Sequence, residues 1–103
     1  MIYSVYILYS DTSDRYYIGH TGNVEKRLYE HNNPEVQTKY TSKYLPWRIV
    51  AHIEVSQDRG EAMKLERFIK QQKSRNFIES LIANQKDIEF IEKLMSSALS
   101  KSQ

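Results

Sequence analysis

The stretch that most narrows what this chain can fold into is Arg15–His31, RYYIGHTGNVEKRLYEH, where strand formers give way to a glycine turn and then to a charged helix. Tyr16, Tyr17 and Ile18 favour a strand, Gly19 and Gly22 bracket a tight bend, and Asn23 stands where a helix N-cap is expected. Beyond it Val24 and Leu28 share one side of the helix, while Arg27 and His31, four apart, share a neighbouring side. A phenol, a guanidinium and an imidazole are thereby delivered close together. On residue types alone, the ordinary account of this run is a strand, a turn and a solvated amphipathic helix.

The rest of the chain supplies partners for that run. Ile2–Ser10 alternates with Tyr3, Val5, Ile7 and Tyr9 on one face and Ile2, Ser4, Tyr6 and Leu8 on the other, and both faces are largely apolar, as in a central strand covered on two sides. Asp11–Asp14 is a polar loop of hairpin length that returns the chain through Arg15–His20 as an antiparallel partner. The first helix is expected to end near Asn32, Asn33 and Pro34. Trp47–Val55 has strand composition. Asp58 then caps a helix running to about Gln72, with Glu61 placed to reach back in a capping box and with Ala62, Leu65, Phe68 and Ile69 facing inward. Ser74 offers a fresh cap for a shorter helix with Phe77, Ile78, Leu81 and Ile82, and Ile88–Leu99 spaces its apolar residues as a last amphipathic helix, to pack on its own domain or on a second copy. The fold class is α+β: a three-stranded antiparallel sheet flanked by helices, in the order β-β-α-β-α-α with an extra C-terminal helix. Residues 1–84 are read as the domain proper and 85–103 as that helix and a frayed tail.

Composition excludes several chemistries. A chain of 103 residues without cysteine has one core and no thiolate for a disulfide, a metal site or a nucleophile. The opening Met-Ile-Tyr-Ser is not a basic segment leading into a long apolar run, and no stretch is long and apolar enough to cross a bilayer, so a cytoplasmic location and no membrane partner are expected. Six of the eight tyrosines lie in the first 29 positions, which suits a packed sheet or a surface on which bases stack. The net charge of +2 says little, but Lys64–Arg75 holds five basic residues against Glu66. Lys39, Tyr40, Lys43 and Tyr44 interleave cations with aromatics. Lys39, Lys43, Lys70 and Lys73 are thus the candidate contacts to a nucleic-acid backbone, although a solvated surface has the same composition.

Ser4-Val5-Tyr6, Tyr17-Ile18-Gly19, Arg27 and His31 in RLYEHN, and Glu66 in AMKLERFIKQQKSRNFIESLI stand in an order that resembles the GIY-YIG nuclease domain. The likeness runs from about Met1 to Ile82 and is greatest to small stand-alone bacterial proteins related to the N-terminal domain of the excision-repair nuclease. Ser4 occupies the place of the first motif's glycine, and neither Asn76 nor Asn84 matches in spacing the asparagine that larger members use at the leaving group.

The resemblance implies a three-stranded antiparallel sheet and a Mg²⁺-dependent endonuclease acting on DNA at a structured or single-stranded region, with a place in DNA repair or recombination. Tyr6 would act as general base, helped by a metal-bound water, by Tyr17 or by His31, because a phenol of pKa near 10 is a poor base at neutral pH. Arg27 would hold oxygens of the scissile phosphate, His31 relay a proton or contact the phosphate, and Glu66 hold one Mg²⁺ or Mn²⁺ ion. Duller roles compete: Arg27 can pair with Glu30, His31 can answer the helix dipole, and Glu66 can pair with Lys70 on a solvated face. A non-catalytic nucleic-acid-binding module, or an interaction protein dimerising through the C-terminal helix, are the other functional classes.

Overall fold

A computed structural model describes residues 1–33, 35 and 43–100 of the chain. Its order is β1 (Tyr3–Ser10), β2 (Arg15–Thr21), α1 (Val24–Asn32), β3 (Trp47–Ser56), α2 (Arg59–Gln71), α3 (Arg75–Ala83) and α4 (Ile88–Leu99). The strands form an antiparallel sheet in the order β2-β1-β3, which makes the opening strand central. This is why both of its faces are apolar. Val5 and Ile7 bury against Leu65 and Ile69 of α2, Leu81 of α3 and Leu94 of α4, while Tyr6 and Leu8 bury on the opposite face with Val24 of α1 and Trp47.

A register shift between Ile7 and Leu8 lets β3 serve both layers. Ile7 pairs with Ala51 but Leu8 with Ile49, so Val50 is an extra residue in the ladder. Such a bulge reverses the alternation of side chains along the strand. Trp47 and Ile49 therefore face α1, whereas Ala51 and Ile53 face the three later helices. The composition of Trp47–Val55 marked it as a strand without revealing this change of face.

The helix starts follow the sequence closely. Asn23 accepts from the Lys26 amide at 3.0 Å, and Ser74 from the Phe77 amide at 3.0 Å. Asp58 accepts from the Gly60 amide at 2.8 Å, but the expected capping box is not direct. Ser56 intervenes, donating its hydroxyl to Glu61 at 2.6 Å and accepting the Asp58 amide at 3.1 Å. The helix α2 ends where Lys73 adopts a left-handed conformation, φ 48°, a common way to stop a helix. The last helix packs on its own domain, with Leu94 and Ala98 in the same core as Val5 and Leu65. What it leaves outward is a shallow hollow lined in part by Ile91, Met95 and Leu99.

The end of α1 is tied to the start of β3 by a side chain acting as a strand. Asn32 donates from Nδ2 to the Trp47 carbonyl at 3.0 Å and accepts the Trp47 amide on Oδ1 at 2.7 Å. That pair fixes where the last turn of α1 lies against the sheet. Replacing Asn32 with alanine removes both of these hydrogen bonds, and urea denaturation is expected to show a loss of about 1–3 kcal/mol.

Candidate active site

The alternation of β1 sends Tyr6 to the α1 face, where it is 1% exposed. Its partner across the ladder is Gly19. A methyl group at Gly19 would come within 2.6 Å of the Tyr6 hydroxyl, so the phenol occupies space that only glycine leaves open. The Tyr6 hydroxyl lies 3.0 Å from His31 Nε2. His31, delivered by the last turn of α1, packs beside two phenol rings, its ring centre 6.0 Å from that of Tyr6 and 4.7 Å from that of Tyr17.

Burial sets the charge states of this pair. The Tyr6 phenol is pushed up to about 12 by burial first; the Arg27 guanidinium beside it pulls the other way, and Tyr17 and Glu66 add to the rise. His31 is pushed down to about 4, by burial first and then by repulsion from Arg27. At neutral pH the imidazole is uncharged and the phenol keeps its proton. With the imidazole hydrogen on Nδ1, Nε2 accepts the buried hydroxyl hydrogen.

Around the open edge of β2 lies a cleft of about 530 Å³. Tyr6, Tyr17 and Arg27 reach it from the α1 side of the sheet, while Glu66 and Arg59 reach it from α2 on the other side. Two faces of one sheet thus contribute to one cleft, with Gly19 in its lining. Arg27 donates from Nη1 to Glu30 at 2.7 Å, and both line the cleft. Glu66 accepts from His20 Nδ1 at 2.5 Å on one oxygen and from Lys70 Nζ at 2.6 Å on the other. The ion pairs read from the sequence as competing roles, Arg27 with Glu30 and Glu66 with Lys70, are thus present within the cleft wall itself.

Of the five residues to which the resemblance assigns chemistry, Tyr6, Tyr17, Arg27 and Glu66 line the cleft and His31 does not. His31 is 2% exposed and lies outside the cleft lining, with its Nε2 on the Tyr6 hydroxyl. Lys70 and Lys73 line a second groove of about 310 Å³, which shares His20 and Glu66 with the first. Lys43 is exposed in the turn before β3 and lines neither, and Lys39 and Tyr40 lie outside the described residues. His20 and Arg59 belong to the cleft although their sequence positions carried no sign of it.

Among the described residues no three His, Cys, Asp or Glu side chains are grouped as a metal cage. An ion here would rest on the Glu66 carboxylate, an oxygen donor whose side chain is 18% exposed on the cleft wall, with water and phosphate completing the shell. Mg²⁺ takes that kind of coordination, one or two carboxylates with waters and phosphate oxygens.

Residues 2–79 match the GIY-YIG catalytic domain, and the chain belongs to that family. It is 42% identical over 67 residues, 64% of this chain and 74% of the other, to a UPF0213 protein of Syntrophus aciditrophicus (strain SB). No solved structure matches. Membership in a family of nuclease domains gives the chain a nuclease-type function and implies a nucleic-acid substrate. Among the described residues no helix is long and apolar enough to cross a membrane.

The buried His31 makes stability depend on pH. Its folded pKa lies below its unfolded value, so the stability present above pH 6.5 is lost as pH falls toward about 4. Unfolding free energies measured across that window are expected to fall by up to about 3 kcal/mol in the native chain. His31→Asn is expected to lack that part of the slope.

Proposed function

We propose that this chain is a Mg²⁺-dependent endonuclease that hydrolyses phosphodiester bonds in DNA at structured or single-stranded regions, in repair or recombination. The observation that carries the reading is the meeting of Tyr6, Tyr17, Arg27 and Glu66 in one cleft. Lys26, Arg27 and Arg59 give that cleft more positive than negative side chains, as a phosphate requires. The groove holding Lys70 and Lys73 continues from it and offers the backbone a second contact.

In this mechanism Tyr6 cannot act as a preformed phenolate, because burial holds its proton on. It takes a proton from the attacking water while passing its own to His31 Nε2, 3.0 Å away. The water oxygen bonds to phosphorus as the bond to the leaving oxygen breaks. Arg27 offers its guanidinium to the phosphoryl oxygens, releasing Glu30 as the phosphate takes its place. Glu66 would hold the ion. A bound Mg²⁺ supplies Lewis-acid stabilisation of the phosphoryl and leaving oxygens.

A second reading draws on the fact that both Glu66 oxygens are already held by protein side chains, His20 and Lys70, which suits a binding module without turnover. Cleavage of branched and single-stranded DNA with Mg²⁺ separates the two. Tyr6→Phe and Glu66→Gln are each expected to lower the rate by about 10²-fold or more while leaving salt-dependent binding in place. Cleavage by either variant at the native rate contradicts the mechanism, and salt-dependent binding by a native chain that never cuts establishes the second reading. The C-terminal helix is also proposed as a dimer contact through its outward hollow, which the solution mass of the native chain tests.

A further inference from the structure

Resting on the reading of Glu66 as the ion's ligand, we propose that His20 is the positioning residue for that carboxylate: it commits one oxygen to the protein and leaves the other for the cation. His20 sits on β2 opposite Val5, so its side chain leaves the sheet on the α2 side, where Glu66 faces it. Its Nδ1 lies 2.5 Å from Glu66 Oε1. Its other nitrogen, Nε2, lies 3.4 Å from Arg59 Nε. An arginine nitrogen only donates, so Nε2 bears the lone pair and Nδ1 carries the hydrogen directed at Glu66. Arg59 thereby fixes the tautomer, and His20 fixes the carboxylate.

The two oxygens of Glu66 are held very differently. The His20 side chain is 19% exposed, on a strand paired along its length, and its ring is rigid. Lys70 reaches Oε2 at 2.6 Å from a flexible stem that is 52% exposed. The ammonium can leave for solvent or for a phosphate in the adjoining groove, whereas the imidazole cannot. Oε2 is therefore the exchangeable side and Oε1 the anchored one. Orientation of a ligating carboxylate by a hydrogen bond from outside the metal shell is worth about 10–100-fold in metal affinity elsewhere.

The test is Mn²⁺ binding, read from the spectrum of the free ion, for the native chain, Glu66→Gln, His20→Ala, His20→Asn and His20→Gln, with thermal melting alongside. Asparagine places an N–H near the position of Nδ1, while glutamine places it near that of Nε2. His20→Ala and His20→Gln are expected to weaken Mn²⁺ by about tenfold or more, and His20→Asn to stay within about threefold of the native chain. A simple loss of packing would not distinguish asparagine from glutamine in this way. Native-like binding by His20→Gln, or equal losses in His20→Asn and His20→Gln, overturns the proposal while leaving Glu66 as ligand. No uptake by the native chain, or equal uptake by Glu66→Gln, overturns the metal reading of Glu66 and the proposal with it.

Discussion

The site depends on a contact between a phenol and the absence of a side chain. Tyr6 lies across Gly19 so closely that a β-carbon there would meet its hydroxyl at 2.6 Å, and the same hydroxyl reaches His31 at 3.0 Å. Two neighbouring strands and the helix that follows them thus converge on a single oxygen. The arrangement is held from outside by Asn32, which fixes the last turn of α1 to β3. Because Tyr6 is almost fully buried, its proton is retained, and any basic work must be coupled to a partner that can take that proton.

Sheets normally separate what lies on their two faces, and here Tyr6 and Glu66 belong to opposite ones. They nevertheless line one cleft, beside the edge strand β2. The charge distribution follows the same division, with Arg27 restrained by Glu30 on one side and Glu66 by His20 and Lys70 on the other. Both Arg27 and Glu66 thus have protein counter-ions that a phosphate or a cation can displace.

Much of this was legible in the chain because it rests on local rules. The two-sided apolar pattern of Ile2–Ser10 marks a central strand, and Asn23, Asp58 and Ser74 mark helix starts by the chemistry of a capping oxygen. Tyr6, Tyr17, Arg27 and Glu66 were legible only through the order of the family's motifs, since each has an ordinary structural use as well. What stayed hidden depends on partners distant in sequence. The bulge at Val50, the Asn32 clamp and the Ser56 relay leave no periodic trace, because a single residue makes each of them. His20 was hidden because its significance lies in Glu66, 46 positions away. For His31, helical spacing gave the direction of the side chain and not the depth to which its neighbours bury it.

The hydroxyl shared by Tyr6 and His31 can be observed directly. Nitrogen-15 shifts of the His31 ring at neutral pH are expected to show an uncharged imidazole with hydrogen on Nδ1 and a bonded lone pair on Nε2, unchanged until the pH falls toward about 4. A ring protonated on both nitrogens at pH 7, or an Nε2 that carries the hydrogen, contradicts the buried donor–acceptor pair on which the cleft is built.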